Sequence, residues 1–123
     1  MPVTGPDFIS LQTRDLDASQ AFYETYLGLV RSQAGPPHAV VFDTQPTFAV
    51  RDPAPGVDLE SGQLGLGVAL WLHDPEAVAL HQTVAESGVT ILQELFEGPF
   101  GMTFVFQDPD GYAVTVHDRA ARS

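Results

Sequence analysis

Four histidines and a scattered set of carboxylates are the side chains of this chain that could carry chemistry. The histidines are His38, His73, His81 and His117. No two of them have the H-x-x-x-H or H-E-x-x-H spacing that places a pair of imidazoles around a metal ion. A serine nucleophile is not indicated either, because the chain has no G-x-S-x-G motif. Each histidine is therefore interpreted as a solvated or hydrogen-bonded side chain, although His73 and His117 could share one face of a sheet.

Three acids, Glu94, Glu97 and Asp43, are placed where a general base could act. Single carboxylates on strand ends and loops are usually surface residues, and we interpret these three in that way. The chain has no cysteine. This excludes a disulfide framework and a thiolate metal site. The polar residues alone therefore give no specific signal for catalysis.

The charge balance narrows the choice of partners. The net charge is −11, from 16 acids and 5 arginines with no lysine. Such a chain has no basic footprint for phosphates, which argues against nucleic acid and against anionic membrane surfaces as partners. It favours a cationic ligand. No apolar run approaches the ~20 residues of a membrane span, and no signal-peptide pattern opens the chain, so the expected location is the cytoplasm.

The elements that must position these side chains come from an internal repeat. Residues 8–29 align with residues 67–89 when Asp15 is placed opposite Asp74. Each copy has an alternating apolar strand, then the aspartate, then a helical pattern that ends at a glycine. One strand–helix unit is therefore used twice.

Further strands complete each copy as a β-α-β-β-β module. Hairpins are predicted over 38–51 and 102–117, and single strands over 89–96 and, more weakly, 29–33. The sequence thus predicts an α+β fold in one domain, 1–123. Its parts are a first module over 7–51, a linker over 52–66 that is rich in proline, glycine and acids, and a second module over 67–118.

Strand alternation sorts the side chains of the second module into two faces. The residues predicted to face the helix and form the core are Phe104, Phe106, Val114 and Val116. Trp71, Thr103, Thr115 and His117 are predicted on the opposite, helix-free face.

The same alternation predicts that Phe8 and Ser10 lie on the helix-free face of the first module. Matching the two hairpins by their turns adds Phe42, Phe48 and Val50 to that face. A curled sheet with these aromatic rings and Trp71 would present a concave apolar surface. A monomer rarely leaves such a surface bare. We therefore expect it to hold a ligand, a second subunit, or both.

With its elements in place, the sequence resembles the vicinal oxygen chelate superfamily, which includes glyoxalase I, fosfomycin-resistance enzymes, extradiol dioxygenases and bleomycin-resistance proteins. The resemblance implies a U-shaped, curled mixed sheet around a cleft, and usually a dimer. The residues that carry it are the strand before Arg14-Asp15-Leu16, the helix with Ala21-Phe22-Tyr23 and Tyr26-Leu27-Gly28, and the turn Phe106-Gln107-Asp108-Pro109-Asp110-Gly111-Tyr112.

Enzymes of that superfamily hold a divalent metal with His and Glu side chains at fixed strand positions. The resemblance carries these positions onto Phe8, Gly67 and Thr115, and onto the neighbourhood of Val50. None of these residues supplies an imidazole, a carboxylate or a thiolate. We therefore expect no metal, no other cofactor and no catalytic residue.

What remains resembles the metal-free, antibiotic-sequestering branch, such as bleomycin resistance protein. Residues 98–104 have that group's pattern of proline, aromatic, glycine and a phenylalanine before the turn, which implies that Phe100 stacks on the ligand. Trp71 matches a strand position where those proteins carry tryptophan. The predicted ligand-binding residues are Phe8, Ser10, His38, Phe42, Phe48, Trp71, Phe100, Met102, Thr103 and Thr115.

The leading hypothesis is a metal-free homodimer that sequesters an aromatic natural-product antibiotic in clefts at its dimer interface and so gives self-resistance. Bleomycin-like, mitomycin-like and enediyne- or anthraquinone-like compounds are the expected ligand types. Two alternatives stay open. One is a lyase, isomerase, transferase or dioxygenase-like enzyme of the same fold. The other is a structural or regulatory module whose aromatic face only forms the dimer.

Overall fold

A computed structural model describes residues 2–120 of the chain. It divides into two compact units, Met1–Gly62 and Gln63–Ser123. The elements of the first unit are β1 (Phe8–Gln12), α1 (Leu16–Leu27), β2 (Ala39–Phe42) and β3 (Thr47–Arg51). Those of the second unit are β4 (Leu70–His73), α2 (Ala77–Glu86), β5 (Ile91–Gly98), β6 (Gly101–Gln107) and β7 (Ala113–His117).

Each unit contains one mixed sheet and one helix. The first sheet has the order β1-β3-β2, with β1 parallel and β2 antiparallel to β3. The second has the order β4-β7-β6-β5, in which only β4 and β7 are parallel. The predicted α+β class is confirmed. The grouping of both modules into one domain stays a prediction.

Helix α1 begins and ends at the residues that its sequence specifies. The Asp15 side chain accepts a hydrogen bond from Ala18 N at 3.1 Å, as an N-cap does. Gly28 ends the helix in the left-handed conformation, with φ at 69°. The buried ring of Tyr23 then packs against the sheet, with its centroid 5.2 Å from that of Phe48 and 6.2 Å from that of Phe42.

This packing corrects the predicted position of Phe42, Phe48 and Val50. Phe42 is 1% exposed and Phe48 is 4% exposed, and both face α1. Val50 is in register with Leu11 and lies on the same side. All three residues belong to the core between sheet and helix, so the expectation that they lie on the helix-free face is wrong.

The error is a one-residue slip between the two hairpins. In the second hairpin the last core pair, Phe106 and Val114, is followed by one more residue pair before the turn. In the first hairpin the core pair Phe42 and Phe48 is itself the last pair. Aligning the turns therefore shifts the first hairpin by one residue, which moves every side chain to the other face.

The core of the second unit follows the predicted alternation. Phe104, Phe106, Val114 and Val116 are each at most 1% exposed. The ring centroid of Phe104 lies 5.2 Å from that of His81 on α2, which identifies the helix side of the sheet. His81 also contacts Glu94, with Nε2 and Oε1 2.8 Å apart. Both residues thus lie away from the helix-free face.

Three element boundaries differ from the prediction. Strand β4 begins at Leu70, so Gly67 lies before the strand. The predicted loop over 97–101 is a tight turn, because β5 and β6 pair as far as Gly98 and Gly101. The predicted strand over 29–33 is reduced to one bridge, between Arg31 and Phe42. No helix within residues 2–120 is long and apolar enough to cross a membrane.

Candidate functional site

The helix-free face of the second unit carries two rows of side chains in register. One row runs Trp71, Thr115, Val105 across β4, β7 and β6. The next runs His73, His117, Thr103, Phe96 across β4, β7, β6 and β5. The structure therefore brings four of the residues predicted for this face, Trp71, Thr103, Thr115 and His117, onto one surface.

Three rings on this face form a mutual cluster. The Trp71 centroid lies 5.9 Å from that of Phe100 in an edge-to-face arrangement and 5.7 Å from that of His117. Phe100 and His117 are also 5.7 Å apart. We call Trp71, Phe100 and His117 the ring cluster. Its members differ in burial, since His117 is 4% exposed whereas Trp71 is 42% exposed. The buried His117 thus anchors the cluster to the sheet, whereas the Trp71 ring remains partly accessible to solvent.

Hydrogen bonds orient the two histidines on this face. Nδ1 of His117 lies 2.8 Å from the carbonyl oxygen of Arg119. A carbonyl only accepts, so Nδ1 carries the hydrogen and, in the neutral ring, Nε2 is an acceptor. Nε2 of His73 contacts the carbonyl oxygen of Asp118 at 3.3 Å, and the two imidazole centroids are 5.7 Å apart. Nε2 of the neutral His117 ring is thus an oriented hydrogen-bond acceptor within the ring cluster.

The turn that presents Phe100 is held by the chain that leaves β7. Arg119 N donates to the carbonyl oxygen of Phe100 at 2.9 Å. The carboxylate of Asp118 accepts from Met102 N at 2.9 Å. Gly101 follows Phe100 with φ at 86°, a conformation that favours glycine. The position of Phe100 therefore depends on backbone contacts and on one aspartate.

Two predicted ligand residues of β6 take unexpected positions. Met102 alternates with Thr103 and shares the parity of Phe104, so it lies on the helix side of the sheet and not on the helix-free face. Thr103 is on the helix-free face, but it is buried and its hydroxyl donates to the carbonyl oxygen of Gly101 at 2.9 Å. The Thr103 side chain thus stabilises the turn by a hydrogen bond and is not available to a ligand.

Phe96 is a residue of this face that sequence reasoning missed. It pairs with Thr103 and is 39% exposed. Strand β5 has register shifts between Ile91 and Gln93 and between Gln93 and Phe96. These bulges break the alternation on which the prediction depended. The available signal was an aromatic residue two positions before the glycine that opens the turn.

The first unit has its own concavity on the helix-free face of its sheet. This pocket has a volume of about 190 Å³. Phe8 forms one edge and is 55% exposed. The predicted residues Phe8, Ser10 and His38 all line it. The other lining residues, which are not among the predicted ligand-binding residues, are Pro36, Pro37, Ala39, Ala49 and Arg51.

Two charged or ionisable side chains of this pocket have defined contacts. Nδ1 of His38 lies 3.1 Å from the Asp52 carboxylate, and Arg51 Nε donates to the carbonyl oxygen of Asp52 at 2.9 Å. His38 has φ at 64°, in the left-handed region that non-glycine residues seldom adopt. Arg51 was overlooked because the one-residue slip assigned its neighbour Val50 to the helix-free face.

The positions that hold a metal in the enzymes of the suspected superfamily do not fit one here. Phe8, Gly67 and Thr115 supply no imidazole, carboxylate or thiolate. Val50 has no ligating group and faces the helix. Among residues 2–120 no group of three or more His, Asp or Glu side chains is arranged to bind a metal ion. The side chains at these positions therefore do not fit the divalent-metal site of the superfamily's enzymes.

Comparison with known proteins identifies relatives of this architecture. The model of the Glyoxalase/Bleomycin resistance protein/Dioxygenase superfamily matches residues 5–116. No curated protein matches the chain by sequence. Similar solved structures include TnmS3, an antibiotic binding protein from Streptomyces sp. CB03234, with a TM-score of 0.75 and 19% identity over 98% of this chain and 99% of that chain.

Two other similar structures belong to proteins with different names and activities. A mutant of FosX, a fosfomycin resistance protein from Listeria monocytogenes complexed with Mn(II) and 1S,2S-dihydroxypropylphosphonic acid, has a TM-score of 0.72 and 15% identity over 98% of this chain and 94% of that chain. Lactoylglutathione lyase from Agrobacterium tumefaciens has a TM-score of 0.66 and 20% identity over 95% of both chains. At such identities these likenesses show the fold alone.

Proposed function

We propose a function from one premise, which is that the chain belongs to the Glyoxalase/Bleomycin resistance protein/Dioxygenase superfamily. In this proposal it is a metal-free binding protein that sequesters an aromatic natural-product antibiotic and leaves it chemically unchanged. Superfamily membership does not choose between binding and catalysis, because one fold hosts many functions. The choice rests on the residues of the site.

The observation that carries the proposal is the ring cluster of Trp71, Phe100 and His117. A tryptophan that served only the core of its own chain would be buried, whereas Trp71 is 42% exposed beside a buried imidazole. A planar ligand that stacks on Trp71 gains about 0.5–1.5 kcal/mol per aromatic pair beyond the area that it buries. Two or three such pairs together with burial are sufficient for micromolar affinity, about −8 kcal/mol.

The donor set supports binding over metal-dependent catalysis. The FosX structure was determined with Mn(II). In this chain the corresponding superfamily positions are occupied by side chains that do not ligate metals. The chain's own chemistry at the ring cluster is limited to stacking, apolar burial and the hydrogen bond that Nε2 of His117 can accept. These are the interactions of a binding site with a few polar groups that fix orientation.

A homodimer is part of the proposal. Trp71 and Phe96 both leave apolar surface exposed on the helix-free face of the second unit. Soluble monomers rarely expose such patches. A second copy that covers part of this area would narrow the space left for ligand. Sedimentation velocity at micromolar concentration tests this part separately, and a monomer that still binds ligand would remove the dimer from the proposal.

Trp71 is the single tryptophan of the chain and therefore reports on its own site. We expect its fluorescence to be quenched in a saturable titration with at least one compound of a panel containing bleomycin, mitomycin and anthraquinone-type antibiotics. Calorimetry should then give about one ligand per chain. The compound recovered after long incubation should have an unchanged mass.

The matched variants are Trp71→Ala and Val78→Ala. Val78 is an exposed apolar residue of α2, which packs on the other side of the sheet. Trp71→Ala should weaken binding at least tenfold while Val78→Ala binds as the parent chain does. A chemically modified compound would favour an enzyme over a binding protein. A folded Trp71→Ala protein with unchanged affinity would remove the ring cluster from the site.

A further inference from the structure

We propose that the pocket of the first unit is an anion site for a carboxylate attached to a small apolar or aromatic group, with Arg51 as its anchor. The observations come from residues of the first unit alone. The proposal therefore stands independently of the ring cluster and of the function proposed for it. It also assigns a role to one of only 5 arginines in an acidic chain.

The guanidinium of Arg51 is oriented but not neutralised. Its Nε donates to the carbonyl oxygen of Asp52 at 2.9 Å, which fixes the plane of the group. Within residues 2–120 the two terminal nitrogens have no hydrogen bond or ion pair. Arg51 lies on β3, the central strand of the sheet, and lines the pocket. A planar guanidinium with a free outer edge is the group that proteins use to bind carboxylates with two parallel hydrogen bonds.

The nearest acid in the sequence does not compensate this charge. The carboxylate of Asp52 contacts Nδ1 of His38 at 3.1 Å. By contrast, Arg14 contacts both Glu60 and the carbonyl oxygen of Leu59. Within the described residues Arg51 has no such ion pair, and it lines a concave surface. The local positive charge is thus available to an anion from solution.

The remaining surface of the pocket is small and apolar. Its lining includes Ala49, Ala39 and the hydroxyl-bearing Ser10, and Ser10 is in register with Ala49. Phe8 and the Pro36-Pro37 pair complete the apolar lining. A volume of about 190 Å³ is below the about 300–1,000 Å³ of pockets for drug-sized ligands. The pocket therefore suits one ring or a short apolar chain that ends in a carboxylate.

The strained backbone of His38 at the edge of this pocket is held by two contacts to one residue. Asp52 N donates to the carbonyl oxygen of His38 at 2.9 Å, and the two side chains contact each other. Backbone strain of this kind persists where the surroundings impose it, and it concentrates at ligand sites. The Asp52 carboxylate thus contacts His38, and within the described residues it forms no ion pair with Arg51.

The test uses benzoate as the probe, with benzamide as its neutral counterpart and acetate as the anion without a ring. Binding is followed by amide chemical shifts in nuclear magnetic resonance spectra of the full chain. We expect benzoate to bind with a millimolar dissociation constant and to shift the amides of Ser10, Ala39 and Ala49. Benzamide and acetate should each bind at least fivefold more weakly, because each lacks one of the two interactions.

Variants then assign the preference to Arg51. Arg51→Gln should remove the preference for benzoate over benzamide, and Arg51→Lys, which keeps the charge, should retain only part of it. Arg31→Gln is the matched control, because it makes the same charge change at an exposed arginine of the same unit and should leave the preference intact. Equal binding of benzoate and benzamide, or an Arg51→Gln chain that retains the preference, would overturn the proposal.

Discussion

At the scale of single residues, Gly101 decides where Phe100 points. Its φ of 86° costs any other residue conformational energy, and a Cβ at this position would collide with the Asp118 carboxylate. That carboxylate accepts the hydrogen bond from Met102 N. We expect Gly101→Ala to lower the free energy of unfolding by about 1–3 kcal/mol, and to weaken ligand binding at the ring cluster. Chemical denaturation and the fluorescence titration measure the two effects.

Gly67→Ala is the control for that substitution. Gly67 has a similar φ of 84°, but a Cβ there would meet no atom within 4 Å. It should therefore show only the backbone cost, about 1 kcal/mol. Equal stability losses in the two variants would contradict the role given to Asp118. A Gly101→Ala chain that binds ligand as the parent does would show that the turn does not position Phe100.

The sequence predicted the correct sheet face for a residue where that face could be inferred from alternation within the residue's own strand. Trp71, Thr115 and His117 were placed on the right face because simple alternation holds in β4 and β7. Arg51 was missed because its face was inferred from the other hairpin. The depth of each side chain was not predictable either. Thr103 and His117 are buried and Trp71 is exposed, although all three occupy one face.

At the scale of elements, the order of strands and helices could be predicted almost completely. Alternation, the Asp15 cap and the glycine at the end of α1 are local signals. They can be recognised from neighbouring residues in the sequence, without knowledge of how the elements pack. Register is not local. It depends on how many residue pairs precede each turn and on bulges such as those in β5, and both are settled by pairing across the sheet. The errors at Phe42, Phe48 and Phe96 all have this origin.

The corrected register makes a prediction about the first sheet. Phe48→Ala should lower the free energy of unfolding by about 3–5 kcal/mol, because it leaves a cavity beneath Tyr23 and beside Phe42. The more conservative Phe48→Leu should remain folded and should bind ligand as the parent chain does. Thermal unfolding and the fluorescence titration of both chains provide the comparison.

Trp71→Leu is the complementary variant in that experiment. Because Trp71 is half exposed, its replacement should change stability by less than about 1.5 kcal/mol while it weakens ligand binding. Its binding must be followed by calorimetry, since the fluorophore is lost. A Phe48→Leu chain that is as stable as the parent yet binds poorly would restore Phe48 to the ligand site and contradict the register described above.

At the scale of the whole molecule, the two units share a plan but present different chemistry on their helix-free faces. The first offers an arginine among small apolar residues, and the second offers a cluster of aromatic rings over a histidine. In a chain of net charge −11, long-range attraction favours cations. A local anion site on such a surface therefore depends on contact within the pocket. Added salt should consequently weaken the binding of a cationic antibiotic at the ring cluster and reduce the long-range repulsion of an anion from the first unit, because screening weakens attraction and repulsion alike.

The response to metal ions separates a binding protein from a metal-dependent enzyme of this superfamily. A metal that binds the native chain, present at a hundredfold excess over its dissociation constant, would stabilise it by about 2.7 kcal/mol. In a domain of this size that corresponds to a rise in Tm of roughly 5–15 °C. Since the superfamily positions lack ligating side chains, we expect Mn(II), Ni(II) and Zn(II) to change Tm by less than about 1 °C.

The adjacent imidazoles of His73 and His117 provide the critical control, because two histidines can hold Ni(II) or Zn(II) weakly without forming a catalytic centre. A small shift that disappears in His73→Ala would locate such binding at this pair. With such weak metal binding, the parent chain should bind the antibiotic with the same affinity in the presence and absence of a chelator. If a chelator abolished antibiotic binding, or if one metal raised Tm by many degrees and induced turnover of the bound compound, the metal-free binding function would be wrong.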